Sequence, residues 1–593
     1  QSASLANATS AGTIKLGGGG VATVTGTAYA DTFTIGKTGA VVHDITGGDG
    51  TDTITVTADT GFADPSGINV ETVTLDVVPG NVDLAIANTK NFHSTTTKIY
   101  LTGGNSLSSF ASKTDGEELD TQVTIFDASA FGGTLELGVD DDVFDDSVTI
   151  TGTSGTKDTV TNLMAIAGTD KPKTIGIEEF LINATGGGTD TMVVDLTNTT
   201  GLNKVTATGV GANDTLQITN ATTQSVKVTG MAANSSTVEY KLQDATGSAD
   251  AVTFELLGGT IADGAKLKTT DIETVTVKAS SLESIDLSAL SMTTADETMK
   301  LLVTGDKALT VSATNADITV IDASGMSEGG SFIQTGRSST KAATYTGSDG
   351  DDTFQMKHAD DVIVGGAGTN DTLVVTKNLI LGGINVDLTK TADNITTFNG
   401  SSSATIQSGF ESVDLSAVTG SFGAEITAIK GGSTITGTPN IDEITLGAGT
   451  DVVYQTHATS DVLFSFTAGA TSSDVVHIDY SALGTQFMNI DESVDIADNT
   501  VAPVLGAITG DTVFSDGTPA TDANILVVNP TGNIASTDAL ETSLESGGGT
   551  DITMGGAVTS GDVMLALYDN GTDSFLAKVT FGAVNSGAKP AAT

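Results

Sequence analysis

A glycine–aspartate loop followed by a strand-like segment recurs along this chain and constrains its fold more than any other feature. Gly47-Gly48-Asp49-Gly50-Thr51-Asp52-Thr53-Ile54-Thr55 fits the nonapeptide G-G-x-G-x-D-x-U-x at every fixed position. Residues 347–354 fit it with one Gly→Ser change. Looser copies lie at residues 26–31, 185–190, 209–216, 366–373, 437–442 and 446–451. Such a repeat predicts a solenoid, in which each coil buries its apolar face against its neighbours.

The segments between the loops alternate apolar and polar residues with a period of two, as in Thr53-Ile54-Thr55-Val56-Thr57 and Thr274-Val275-Thr276-Val277. This period is typical of half-buried strands. We therefore predict an all-β, elongated, multi-domain β-solenoid or β-roll with calcium-binding loops and a β-rich C-terminal domain. The domains predicted are an N-terminal β domain with the first loop (1–135), solenoid repeats (136–300), a β-roll core (301–483) and a C-terminal β domain with a hairpin (484–593).

The spacing of the loop aspartates is regular in two separate regions. Asp361 lies nine residues after Asp352, and Asp371 follows ten residues later. Asp451 lies nine residues after Asp442, and the next acid again follows ten residues later. We interpret nine residues as one turn of a parallel β-roll, which would place these carboxylates in neighbouring coils.

Oxygen ligands supplied by two stacked loops are the kind that Ca²⁺ prefers, and the chain has no cysteine and five histidines. Ordinary Gly-Asp turns are the alternative. We favour metal binding for seven aspartates, Asp49, Asp52, Asp349, Asp351, Asp352, Asp442 and Asp451, and regard both interpretations as open for Asp31, Asp190, Asp214 and Asp371. The candidate Ca²⁺ ligands are Asp31, Asp49, Asp52, Asp190, Asp214, Asp349, Asp351, Asp352, Asp361, Asp371, Asp442 and Asp451.

The net charge of −49 excludes nucleic acid and anionic lipid as natural partners, because both are polyanions. So much negative charge favours multivalent cations as neutralising partners, with a solvated acidic surface of the halophile kind as the alternative. No apolar run approaches the length of a membrane span, so we expect no membrane insertion.

Two further motifs recur. The first places a glutamate between apolar residues: Glu71, Glu178, Glu273, Glu283 and Glu411. We interpret these glutamates as strand residues that face solvent. The second is Asp-x-Ser, beginning at Asp127, Asp286, Asp322, Asp414 and Asp479. We expect the aspartate to cap a turn by bonding to the backbone.

The loops at residues 47–55 and 347–355 resemble the repeats-in-toxin calcium-binding family. The glutamate and Asp-x-Ser motifs are similar to those of bacterial surface-layer proteins exported by type I secretion, the Caulobacter-type class. The resemblance implies calcium-dependent folding and self-assembly into a homopolymeric lattice or filament outside the cell. The alternative is a calcium-dependent adhesin that binds a glycan or a cell surface.

No enzyme is expected. None of the five histidines forms the H-E-x-x-H pattern of a zinc protease. Residues 325–329, Gly-Met-Ser-Glu-Gly, match the G-x-S-x-G nucleophile elbow. The elbow requires a following helix, whereas more turn residues follow here.

Overall fold

The structure is a computed structural model that describes most of the chain up to residue 478. The described residues are 2–16, 23–35, 44–58, 68–79, 84–85, 94–105, 109–112, 122–139, 144–155, 157–164, 167–222, 225–294, 297–327, 329–337, 341–403, 405–455, 461–465, 474–478, 504–508, 512–513, 523–528, 540, 552–553, 563–569 and 574–580. The chain divides into two compact units, Gln1–Gly350 and Asp351–Thr593.

The described residues of the first unit form 33 strands and one short 3₁₀ turn, Leu196–Asn198. The strands are β1 Ser2–Ser4, β2 Thr13–Leu16, β3 Thr23–Thr25, β4 Thr32–Ile35, β5 Asp44–Thr46, β6 Thr53–Ala58, β7 Ile68–Asn69, β8 Thr72–Val77, β9 Leu84–Ala85, β10 Lys98–Gly103, β11 Ser109–Ser112, β12 Ile125–Phe131, β13 Thr134–Val139, β14 Thr149–Thr151, β15 Thr159–Met164, β16 Gly168–Asp170, β17 Lys173–Ile175, β18 Glu179–Ala184, β19 Thr191–Asp195, β20 Thr199–Thr200, β21 Lys204–Val210, β22 Thr215–Ala221, β23 Ser225–Met231, β24 Thr237–Leu242, β25 Ala251–Ile261, β26 Ala265–Thr270, β27 Thr274–Ala279, β28 Glu283–Ser291, β29 Met299–Gly305, β30 Leu309–Thr314, β31 Ile318–Met326, β32 Phe332–Gln334 and β33 Thr344–Thr346.

These strands form parallel sheets in which each strand pairs with the equivalent strand of the next coil. One sheet runs β2-β4-β6-β8-β10-β12-β14-β17-β20, and another runs in the same manner from β9 to β33. A third runs from β16 through β19 and β22 to β32, and a short one joins β1, β3, β5 and β7. Consecutive strands alternate between sheets, which is the topology of a solenoid.

The second unit contains the remaining strands: β34 Thr353–Met356, β35 Val362–Val364, β36 Thr372–Val375, β37 Asn378–Leu379, β38 Ile384–Asp387, β39 Ile395–Phe398, β40 Ser401–Ser402, β41 Gln407–Ser408, β42 Ser412–Asp414, β43 Thr419–Gly420, β44 Ala424–Thr427, β45 Thr434–Thr436, β46 Glu443–Thr445, β47 Val452–Gln455, β48 Val462–Phe464, β49 Val475–Ile478, β50 Val504–Ile508, β51 Thr512–Val513, β52 Ala523–Val528, β53 Ile552–Thr553, β54 Val563–Asp569 and β55 Ser574–Thr580. Its main ladders are β34-β36-β42-β45-β47-β49 and β38-β44-β46-β48, both parallel. The strands β54 and β55 form the predicted closing hairpin, with Asp569 opposite Ser574.

The predicted all-β solenoid is confirmed, with about 16 turns. Its core consists of columns of apolar side chains in register from coil to coil. One column runs Phe33, Ile54, Val73, Ile99 and Phe126, and each of these side chains is at most 1% exposed. Full burial of such a side chain is worth about 1.5–3 kcal/mol. Because the column continues through the coils, the fold grows without needing a single central core.

The interpretation of nine residues as one complete turn is wrong. Asp352 precedes β34, whereas Asp361 precedes β35, which lies in a different sheet. The strand that stacks on β34 is β36, which follows Asp371, so one coil here takes nineteen residues. The physical reason is that nine residues supply one strand and one loop, which is half a turn.

Among the described residues, no helix is long and apolar enough to cross a membrane.

Candidate metal centre

The structure divides the twelve candidate ligands by burial. Asp49, Asp349 and Asp351 are exposed, and Asp190 is half-buried. The other eight, at most 1% exposed, are Asp31, Asp52, Asp214, Asp352, Asp361, Asp371, Asp442 and Asp451. A buried carboxylate needs hydrogen-bond donors or a cation to offset its lost hydration. The eight buried aspartates are therefore the ones to consider as ligands of a cation.

The buried aspartates bind one another's backbones from coil to coil. Each stands directly before a strand, and in six of the eight the carboxylate accepts the main-chain N–H of the residue at the equivalent position one coil earlier: Asp31, Asp52, Asp214, Asp371, Asp442 and Asp451. Asp52 accepts from Asp31 N–H at 2.7 Å, and Asp371 accepts from Asp352 N–H at 2.8 Å. We call this series of contacts the acid ladder. Its further steps join Asp190 to Asp214, Asp442 to Asp461 and Asp451 to Asp474, each at 3.0 Å.

Four glutamates that we interpreted as solvent-facing strand residues are members of the acid ladder. Their carboxylates accept the N–H of an aspartate one coil earlier, at 2.7–2.9 Å: Asp52 to Glu71, Asp158 to Glu178, Asp250 to Glu273, and Asp371 to Glu411. The solvent-facing interpretation is therefore wrong for these four. The fifth, Glu283, accepts a hydrogen bond from the Ser281 hydroxyl at 2.7 Å and is only 8% exposed, so the solvent-facing interpretation is wrong for it as well.

In several loops the first glycine is required because the loop carboxylate lies against it. A Cβ added at Gly47 would lie 2.1 Å from Asp52 Oδ2, and one added at Gly437 would lie 2.2 Å from Asp442 Oδ2. Neither glycine has a positive φ. The loop thus needs glycine here because of space, whereas Gly48 in the same loop has φ +106° and needs glycine for its backbone conformation.

In three loops a threonine follows the first glycine and bonds to the aspartate. The Thr N–H donates to the second carboxylate oxygen, Oδ2, at 2.5–2.6 Å in the pairs Thr27–Asp31, Thr153–Asp158 and Thr438–Asp442. Oδ1 accepts an N–H from the preceding coil at 2.5–3.0 Å, from Gly12, Leu135 and Ala424 respectively. Both oxygens of these three carboxylates therefore have N–H donors.

In three other positions one oxygen of the buried carboxylate has no donor. Asp52, Asp214 and Asp371 each accept a ladder bond on Oδ1. Their Oδ2 atoms are buried and find no hydrogen-bond partner within the described residues. Leaving a buried carboxylate oxygen without a partner costs free energy, and a cation would remove that cost.

The local electrostatics differ within the acid ladder. Burial raises the pKa of Asp371 to about 7, with the charges of Asp352, Glu411 and Asp351 adding to the effect. Burial also raises the pKa of Asp52 and that of Asp442, the latter to about 6. At Asp31 the burial effect is outweighed by N–H bonds from Thr27 and Gly12, so its pKa is lowered.

The residues fit a hard cation at Asp52, Asp214 and Asp371, where a buried carboxylate oxygen is available. They do not fit one at Asp31, Asp442 or Asp451, whose oxygens already accept N–H groups. No three acidic or histidine side chains converge on one point in the described part of the chain. A Ca²⁺ held here would need main-chain carbonyl oxygens and water as well.

Several ladder residues are absent from the sequence-based set. Asp158 was missed because its loop, Gly152 to Asp158, is one residue longer than the other Gly-Thr loops, 26–31 and 437–442. The four ladder glutamates were missed because the group that each one binds lies a whole coil away in sequence. The sequence feature that could have identified these glutamates is the order of the motifs, because a glutamate motif follows an aspartate loop.

The Asp-x-Ser prediction is confirmed at the four described copies. Oδ1 of the aspartate accepts the serine N–H at 2.7–3.2 Å in the pairs Asp127–Ser129, Asp286–Ser288, Asp322–Ser324 and Asp414–Ser416. The fifth copy, at Asp479, lies outside the described residues.

The serine of the G-x-S-x-G match lies just after β31. The Ser327 hydroxyl donates to the Gly305 carbonyl of the preceding coil at 3.2 Å, and the Ser327 N–H donates to the same oxygen at 2.8 Å. Ser327 therefore takes part in holding two coils together.

Comparison of the chain with known proteins gives no matching family model, no matching curated protein and no matching solved structure.

Proposed function

We propose that this chain is a calcium-dependent, self-assembling extracellular structural protein, used as a surface-layer, sheath or matrix filament subunit. The observation that carries the proposal is the set of buried carboxylate oxygens without donors at Asp52, Asp214 and Asp371. Oxygen-only chemistry in glycine-rich turns between stacked coils suits Ca²⁺. The Thr- and Gly-rich solenoid is compatible with a repeats-in-toxin type of protein.

The charge balance supports a role for divalent cations. The chain carries 73 acidic and 24 basic residues. Some of the acids are fully buried in the acid ladder, and burial favours their neutral form. A divalent ion beside such a group stabilises its charged form and reduces the repulsion within the chain at the same time.

Self-assembly is supported by apolar side chains exposed on the second unit. Leu381 is 76% exposed and Ile441 is 61% exposed. They belong to turns that adjoin stacked strands, since Leu379 pairs with Gly420 and the Ile441 carbonyl lies against Gly423. Exposed apolar groups on the same side of a ladder, here two coils apart because β44 lies between β38 and β46, favour contact with another protein surface.

The proposal is tested on the full chain by thermal melting, circular dichroism and electron microscopy, with Ca²⁺ and with excess EGTA. We expect Ca²⁺ to raise the melting temperature, since an ion that binds only the folded state stabilises it. We also expect regular lattices or filaments with Ca²⁺. An unchanged melting curve in EGTA would overturn the calcium dependence, and dispersed rods in Ca²⁺ would overturn self-assembly in favour of an adhesin.

A further inference from the structure

Two kinds of aspartate loop occur along this solenoid, and they differ in the hydrogen-bond donors that they offer to the buried carboxylate. In the threonine loops, Thr27, Thr153 and Thr438 follow the first glycine. In the donor-free loops, Gly48, Ala212 and Gly366 stand at that place. The three aspartates of each kind, at most 1% exposed, are Asp31, Asp158 and Asp442 in the threonine loops and Asp52, Asp214 and Asp371 in the others.

The threonine closes its own loop by two bonds. Its N–H donates to the aspartate, and its hydroxyl oxygen accepts the N–H of the residue two positions later. That second bond is present in all three copies, with Tyr29, Gly155 and Asn440 as donors at 3.0, 2.9 and 3.1 Å. In two copies the hydroxyl also donates to the carboxylate, at 2.7 Å in Thr438–Asp442 and 2.9 Å in Thr153–Asp158.

Two of the three donor-free loops cannot make this arrangement with a simple substitution. Gly48 and Gly366 have φ values of +106° and +129°, a conformation that threonine rarely adopts. The Oδ2 atoms of Asp52 and Asp371 have no hydrogen-bond partner within the described residues. Ladder acids surround them, since Asp52 lies between Asp31 and Glu71 and Asp371 lies between Asp352 and Glu411.

We propose that the threonine in the G-T loops takes the place of a bound ion, so that these coils fold without metal, whereas the loops of Asp52, Asp214 and Asp371 each require a divalent cation. The inference rests on the proposed calcium dependence and deepens it. The chemical basis is that a buried carboxylate oxygen that receives an N–H has one of its two acceptor sites occupied and part of its lost hydration replaced, whereas a buried donor-free oxygen has neither and gains most from a hard cation. Calcium binding then stabilises only those coils that contain a donor-free loop.

The test uses matched aspartates of the full chain. Asp371→Asn and Asp442→Asn alter one loop of each kind in the second unit, and Asp52→Asn and Asp158→Asn do so in the first. For each variant, bound Ca²⁺ is measured by equilibrium dialysis, and the melting temperature is measured with Ca²⁺ and with EGTA. We expect Asp371→Asn and Asp52→Asn to bind fewer ions and to lose part of the calcium-induced rise in melting temperature.

Asp442→Asn and Asp158→Asn are expected to lower the melting temperature equally with and without Ca²⁺, and to keep the ion count of the parent. If either variant is too unstable to purify, Thr438→Val and Thr438→Ser replace it, with Thr438→Ser retaining the parent behaviour and Thr438→Val lowering the melting temperature in both conditions. Loss of bound ions in the threonine-loop variants would overturn the two-loop inference alone. A parent chain that binds no Ca²⁺ would overturn the proposed calcium dependence as well as the cation half of the inference.

Discussion

At the scale of single residues, the close contact of a glycine with a carboxylate determines where this chain tolerates change. Gly26, Gly47, Gly152, Gly211 and Gly437 each leave too little room for a Cβ beside the loop aspartate, at 2.1–2.8 Å from Oδ2. A side chain there would push the carboxylate out of its hydrogen bonds. A substitution of the first glycine therefore also disturbs the hydrogen bonds of the loop aspartate.

Gly47→Ala is expected to destabilise the first unit by about 1–3 kcal/mol, because its Cβ would overlap Asp52 Oδ2. The matched control is Gly187→Ala, which adds a methyl group with nothing within 4 Å and should change stability by less than about 0.5 kcal/mol. Thermal melting of both variants in EGTA checks the prediction. Equal melting temperatures for the two variants would contradict it.

At the scale of elements, sequence reasoning identified the strands but not their contacts. Alternation at Thr53-Ile54-Thr55-Val56-Thr57 is reproduced in β6, because side chains on a strand must point to opposite faces. Sequence reasoning also selected Asp52 and Asp371 as loop acids and candidate metal ligands, and both are buried in the structure. It could not assign the N–H groups that bind to Glu71 and Glu411. Those assignments depend on the number of residues in each coil, and this number changes because the loops differ in length.

Glu411→Ala is expected to destabilise the second unit by about 1–3 kcal/mol, because the N–H of Asp371 loses its acceptor. Glu411→Gln should retain most of the stability, since its amide oxygen can still accept that bond. Urea unfolding in EGTA measures both. The control is Glu443→Ala, an exposed glutamate directly opposite Glu425 in the next strand, whose removal should be neutral or slightly stabilising. A larger loss in the control would refute the assignment.

At the scale of the whole molecule, repulsion between like charges outweighs the ion pairs. Several of the described pairs join strands of neighbouring coils, as in Lys278–Glu255 at 2.7 Å and Lys300–Asp322 at 3.2 Å, and these two lysines are 43–48% exposed. Such exposed pairs are worth about 0–1 kcal/mol each. The net charge of −49 therefore dominates the electrostatic free energy of the folded chain.

Raising the salt concentration in the presence of EGTA is expected to increase the melting temperature of the full chain. At about 1 M NaCl the screening length falls to about 3 Å, so repulsion across the surface is reduced more than the short ion pairs are weakened. The measurement is a series of melting curves at increasing NaCl. A melting temperature that falls with salt would mean that the ion pairs, rather than the net charge, control stability.

The acid ladder also has a direction. The N–H of each coil is received by a carboxylate of the coil that follows it in sequence, as Asp31 is by Asp52 and Asp52 is by Glu71. A chain that emerges from a channel or a ribosome with its amino end first thus completes each coil only when the next one arrives. A break between two coils exposes main-chain amides on the earlier fragment and a carboxylate on the later fragment, so the two broken ends differ in charge. Growth and fraying of this solenoid are therefore unequal at its two ends.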